Sequence, residues 1–128
     1  MDSIRVLITD NSPEFAALMR ERLETYPGIR VVGIAHNAMH AMHILRNTAV
    51  DVMLLDIIMP GMDGLELLSE MHRMENKPLV FIVSAIGISA VVQKALQLGA
   101  AGYFVKPVEY DKLAATIAAA LNKGSLKY

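Results

Sequence analysis

Apolar residues along this chain fall into short runs that alternate with stretches of helical spacing. Ile4–Thr9 (I-R-V-L-I-T) is β-branched and apolar and reads as a first strand. Ser12 and Pro13 then start a helix: a capping hydroxyl, followed by proline at the first helical position, where its missing N–H costs nothing. Phe15, Leu18, Met19 and Leu23 predict the buried stripe of that helix, and Pro27 with Gly28 ends it. Ile29–Ala35 (I-R-V-V-G-I-A) reads as a second strand, and Asn37 can cap a helix over about 38–46. Val52–Leu55 is a continuous apolar run of the kind buried on both faces of a sheet. A helix follows over about 64–73, a strand over 79–83, a helix over about 88–98 stopped by Gly99, and a strand over 103–105. Leu113, Ile117 and Leu121 mark one stripe of a last helix, and a tail is expected over 124–128. Five strands alternating with five helices predict an α/β fold: a parallel sheet with helices on both faces and right-handed crossovers. The pattern leaves the order of the strands open.

The chain is organised around residues 51–68. Asp56 comes directly after the run Val52–Leu55, and burying an unpaired carboxylate is too costly, so Asp56 is placed where the strand leaves the sheet. Pro60 disfavours helical geometry at Met59, and Gly61 and Gly64 punctuate a tight loop before Leu65, Leu68 and Met71 resume helical spacing. Ligands and chemistry collect at the carboxyl ends of strands in open α/β sheets, which makes Asp56 the candidate reactive residue.

Composition narrows the setting. One domain of 128 residues can bury a sizeable core, and the 54% hydrophobic content is spread over short runs, none near the roughly 20 residues of a membrane helix. The N-terminus shows no basic region followed by an apolar block, and there is no cysteine, so we expect a cytoplasmic protein without disulfides or thiolate metal sites. A net charge of −1 provides no electrostatic footprint for nucleic acid in this segment.

Polar groups end four of the predicted strands: Asp10 with Asn11, Asp56, Ser84 and Lys106. In a parallel sheet these ends share one edge. Singly, each has a plainer reading as a turn, cap or surface residue, and Ser84 could cap the helix after it. Together they suit phosphoryl transfer to a carboxylate. An aspartate can form an aspartyl phosphate, a hard divalent cation favours carboxylate and carbonyl oxygens, and a lysine can neutralise phosphoryl oxygens.

These residues carry a resemblance. Leu55 to Pro60 (L-D-I-I-M-P) with Met62-Asp63-Gly64, then Ser84-Ala85, then Gly99-Ala100 with Gly102-Tyr103 and Lys106-Pro107 resemble the receiver domain of two-component response regulators, the CheY-like family. The block 56–64 with Ser84-Ala85-Ile86-Gly87 is most similar to receivers of the stage-zero sporulation transcription factor. The resemblance implies a (βα)5 flavodoxin-like, doubly wound receiver domain over 1–123. It implies a phosphorylation-controlled switch that catalyses only its own phosphoryl transfer and dephosphorylation, with transcription regulated through an output domain outside this chain. Asp56 would take the phosphoryl group from a sensor histidine kinase or phosphotransfer protein. Asp10, Asn11, Asp56 and the Ile58 backbone carbonyl would hold Mg2+ or Mn2+. Ser84 and Lys106 would contact the phosphoryl group, with Ser84 and Tyr103 as switch residues. A homodimer through the fourth helix, fifth strand and fifth helix is a further implication, with no membrane contact. Asn11 departs from the family pattern, which has an acid there. An amide oxygen carries no charge, so weak metal binding is expected, and a degenerate receiver that binds partners without phosphate is the alternative. Ile58 and Ile86 would flank the path of hydrolytic water and prolong the phosphorylated state.

Other readings have less support. A haloacid-dehalogenase-type phosphatase needs a second aspartate two residues after the nucleophile, where this chain has Ile58. A flavin-binding carrier needs a phosphate-cradling loop after the first strand, where Asp10 would repel the phosphate. His36, His40 and His43 lie close together, but no carboxylate or cysteine completes a metal site beside them. The methionines read mostly as gap-filling core.

Overall fold

The computed structural model describes residues 3–125. Strands β1 (Ile4–Thr9), β2 (Ile29–Ala35), β3 (Val52–Leu55), β4 (Leu79–Ser84) and β5 (Gly102–Val105) alternate with helices α1 (Pro13–Leu23), α2 (Ala38–Asn47), α3 (Gly64–Met71), α4 (Ser89–Gln97) and α5 (Tyr110–Ser125). The strands form one parallel sheet in the order β2-β1-β3-β4-β5. The chain winds outward from β1 to β2, crosses back to β3, and continues to β5. The winding reverses between β1 and β3, so the loops leaving their carboxyl ends diverge and open a crevice there.

Period-two alternation divides the strand residues between two apolar layers. Val6, Ile8, Val52, Leu54, Phe81 and Val83 pack with Ala16, Met19, Leu23, Leu113 and Ile117 from α1 and α5. Leu7, Met53, Leu55, Val80 and Ile82 pack on the other face with Ala38, Ala41, Leu67, Leu68, Met71 and Ala95 from α2, α3 and α4. Covering both faces is what lets β3 be apolar at every position.

Local signals set the helix ends. The Ser12 side chain accepts from the Phe15 amide, and that of Asn37 from the His40 amide, so both predicted caps form. Asp63 and Glu66 make a reciprocal capping box that starts α3. Gly99 adopts φ +107° after α4, a left-handed conformation that glycine takes at little cost.

Three details differ from the sequence reading. Leu18 is 41% exposed and is not part of the α1 stripe. Ala16, Met19 and Leu23 face the sheet, and a residue adjacent to Met19 turns about 100° away from it. Helix α3 stops at Met71, with His72 as its C-cap, short of position 73. Helix α5 continues through Gly124 to Ser125, and the rest of the expected tail, 126–128, lies outside the described residues. Among the described residues, no helix is long and apolar enough to cross a membrane. Met19, Met53, Met59 and Met71 are core, Met42 and Met74 pack against it, and Met39 and Met62 are exposed, so most of the described methionines fill the core as expected.

Candidate functional site

The crevice at the ends of β1 and β3 gathers residues far apart in sequence. Asp10 follows β1, and Asp56 follows β3, its amide donating to the Thr9 carbonyl at 2.9 Å. Lys106 follows β5, its amide donating to the Ser84 carbonyl at the end of β4. The Lys106 Nζ donates to Asp10 Oδ2 at 2.9 Å and to Asp56 Oδ2 at 3.1 Å. The remaining oxygens are held by backbone: Asp10 Oδ1 accepts from the Ser12 amide at 2.8 Å, and Asp56 Oδ1 from the Ile58 amide at 3.1 Å.

Asp56 is only 5% exposed, so it is buried and not merely at the margin of the sheet. The argument against a buried unpaired charge still holds, because Lys106 pairs it. Burial pulls the Lys106 pKa down, but the bonds and charges of Asp10 and Asp56 outweigh burial and hold it above the ordinary lysine value. Lys106 therefore stays charged at neutral pH, and the plainer reading of a solvated surface lysine fails.

The loop after β3 is shaped by close approach. The Gly64 amide donates to the Ile57 carbonyl at 2.9 Å, and a Cβ at Gly64 would lie 2.3 Å from the Asp56 carbonyl oxygen. Gly61 has φ +74° and turns the chain between Pro60 and the α3 cap.

Ser84 is fully buried and its Oγ accepts from the Ile86 amide at 3.3 Å. It does not cap α4, whose cap position is Ile88, without a side-chain hydrogen bond. The Tyr103 hydroxyl donates to the Ile86 carbonyl at 2.5 Å. The segment after β4 is thus held at both the N–H and the C=O of Ile86. Burial raises the Tyr103 phenol above its ordinary pKa, against a hydrogen bond with Ser84 that lowers it, so it remains a donor at neutral pH.

The donor set fits a hard divalent cation, with one carboxylate fewer than the family pattern. Asp10, Asp56 and the Ile58 carbonyl would hold it, and Asn11 is exposed beside them. Among the described residues there is no group of three or more histidine, cysteine or acidic side chains that could hold a metal ion, and His36, His40 and His43 form none. Instead His36 Nδ1 lies 2.9 Å from the Asp10 carbonyl oxygen, a contact the sequence offered no way to anticipate. Asn11→Asp should tighten Mg2+ binding about tenfold, since one further charge near a divalent ion in water-like dielectric contributes about 1–2 kcal/mol. Because position 11 is exposed, the accompanying loss of apo stability should stay under about 0.5 kcal/mol. Calorimetric Mg2+ titration checks this, and equal or weaker binding by the variant would count against it.

Of the two isoleucines expected beside the site, Ile58 is 51% exposed next to Asp56, whereas Ile86 packs against the core layer under α2, α3 and α4. A residue that the sequence reading assigned to the core also enters the site: the Phe15 ring lies under Lys106, with Nζ 4.0 Å from its centroid.

The comparisons with known proteins agree with this fold. The chain is 38% identical over 109 residues to the transcriptional regulatory protein MalR of Bacillus subtilis, covering 85% of this chain and 46% of that protein, so it spans less than half of that curated relative's length. A two-component response regulator of the LuxR family from an Aurantimonas species superimposes with TM-score 0.87 at 28% identity, covering 95% of this chain and 87% of that one. A CheY-like response regulator receiver domain protein from Methanospirillum hungatei does so with TM-score 0.87 at 26% identity, covering 99% and 100%. The family model described as the response regulator receiver domain matches residues 6–118, and with the fold and the carboxylate–lysine crevice it shows that the chain belongs to the response regulator receiver domain family.

Proposed function

We propose that this domain is a signalling switch controlled by phosphorylation of Asp56, with a sensor histidine kinase or phosphotransfer protein as donor. The observation that carries the reading is the buried Asp56 carboxylate, whose Oδ2 shares the Lys106 ammonium with Asp10. In the transfer, an Asp56 oxygen forms a bond to phosphorus as the phosphorus–nitrogen bond of the donor histidine breaks. The imidazole nitrogen leaves with that electron pair and takes up a proton. Lys106 would neutralise phosphoryl oxygens, and the Ser84 hydroxyl, whose oxygen accepts from Ile86, would turn its own proton from Tyr103 to a phosphoryl oxygen. Asp10, Asp56 and the Ile58 carbonyl would hold Mg2+ or Mn2+, which would supply positive charge to offset that of the phosphoryl group. The domain would catalyse only its own phosphorylation and dephosphorylation.

Output would pass through Ile86, the residue tied to Ser84 on one side and Tyr103 on the other. A phosphoryl group that recruits the Ser84 hydroxyl would change the first tie, and the segment before α4 would shift in response. The changed surface would then be that of α4, β5 and α5, where a homodimer or an output domain could read it. MalR is a transcriptional regulatory protein, which supports a transcriptional output here, and its name carries no reference to sporulation. A second reading, a receiver that binds partners without phosphate, is favoured by Asn11 alone. Amide NMR with acetyl phosphate and Mg2+ separates the two. The phosphorylation reading expects shifts at Ser84, Ile86 and Tyr103 that are absent in Asp56→Asn. Unchanged spectra of the parent would favour the second.

A further inference from the structure

Lys106 reaches the crevice on a flexible four-carbon stem, and fixing such a side chain costs rotamer entropy. Asp10 and Asp56 account for its ion pairs, but the ammonium has a third neighbour. The Phe15 ring presents its face to Nζ at 4.0 Å, inside the range where a cation is attracted by the aromatic quadrupole, and the lysine side chain is only 19% exposed. The ring is itself tied to the site. Asp10 Oδ1 accepts from the Ser12 amide, and the Ser12 Oγ accepts from the Phe15 amide at 3.2 Å. One turn of chain therefore links the carboxylate that binds the ammonium to the ring beneath it.

We propose that Phe15 is a positioning residue for phosphoryl transfer, its ring face holding the Lys106 ammonium at Asp10 and Asp56 where an incoming phosphoryl group will meet it. The inference rests on the reading of Asp56 as phosphoacceptor. Positioning carries much of the catalysis in phosphoryl transfer, so a loosened lysine should slow the reaction without abolishing it. Phe15 also leans on the layer beneath α1 and α5, and a purely packing role is the competing account.

The test compares the parent with Phe15→Leu, Phe15→Met and Phe15→Tyr, each checked for folding by thermal unfolding. Leucine and methionine keep apolar bulk but lose the ring, and such swaps are usually tolerated. Two readouts are taken: the initial rate of labelling by acetyl phosphate with Mg2+, and the proton NMR shifts of the Lys106 ε-methylene, which a ring face moves upfield. Phe15→Leu and Phe15→Met should return those protons to ordinary lysine positions and slow labelling about fivefold to tenfold, while Phe15→Tyr retains both properties. Labelling of the leucine and methionine variants at the parental rate would overturn the proposal and leave Phe15 as packing. A parent that takes up no phosphoryl group would overturn the phosphoacceptor reading and this inference with it, a result distinct from equal labelling of parent and variants.

Discussion

Gly64→Ala should destabilise the domain by about 3 kcal/mol and displace the loop that carries Asp56. The added Cβ would lie 2.3 Å from the Asp56 carbonyl oxygen and 2.7 Å from the Ile57 Cα, and backbone atoms cannot swing aside as the tip of a long side chain can. The Asp56 amide is fixed to Thr9 and the Gly64 amide to the Ile57 carbonyl, so relief must come from lifting α3 or the loop. Gly61→Ala is the internal control. Nothing lies within 4 Å of its added methyl, and only the left-handed φ of +74° opposes it, a cost of about 1 kcal/mol. Denaturant unfolding should therefore show a much larger drop in midpoint for Gly64→Ala, with slower labelling by a phosphodonor. Equal midpoints for the two variants would refute the steric argument.

Lys106→Met should cost about 2 kcal/mol at neutral pH and at the same time tighten Mg2+ binding. Methionine keeps much of the apolar stem but leaves Asp10, 3% exposed, and Asp56, 5% exposed, without their shared cation. Removing one partner from a fully buried pair costs about 3–5 kcal/mol, and the partial exposure of this lysine argues for a smaller figure. The sign with pH follows from the raised lysine pKa. A raised folded-state pKa means that the ammonium contributes fully below its ordinary pKa of 10.5 and loses that contribution as pH rises through the folded value. The stability gap between parent and variant should hold through the neutral range and close at strongly alkaline pH. Mg2+ should also narrow it, because a cation shared by the two carboxylates replaces the missing ammonium. A variant that gains no more stability from Mg2+ than the parent does would contradict this.

Much of this site was legible in the sequence, because strand-end polar residues in an alternating β/α chain must share one edge. Asp10, Asp56, Ser84 and Lys106 could be placed there before their contacts were known. The contacts themselves were not legible. Asp10 and Lys106 are 96 residues apart, and pairing them requires the strand order that sets β1 beside β3 and brings β5 within reach of the crevice. Phe15 was assigned to the buried stripe of α1 by its spacing, and spacing carries no information about a cation above the ring. Its offset from the Ser12 cap places it at the first turn, beside the strand end, which is the one signal that could have drawn attention to it. Gly64 was read as loop punctuation, since a pattern of residues does not reveal a backbone approach of 2.3 Å. Leu18 misled for the opposite reason: its hydrophobicity fitted the stripe, but the face of α1 was fixed by Ala16, Met19 and Leu23.

The central claim is that Asp56 takes the phosphoryl group. Intact-mass and peptide-mapping spectrometry after incubation with acetyl phosphate and Mg2+ tests it most directly. The account predicts gain of a single acid-labile phosphoryl group, mapped to the peptide containing Asp56 and missing from Asp56→Asn. No gain in the parent, or full labelling of Asp56→Asn, would contradict it.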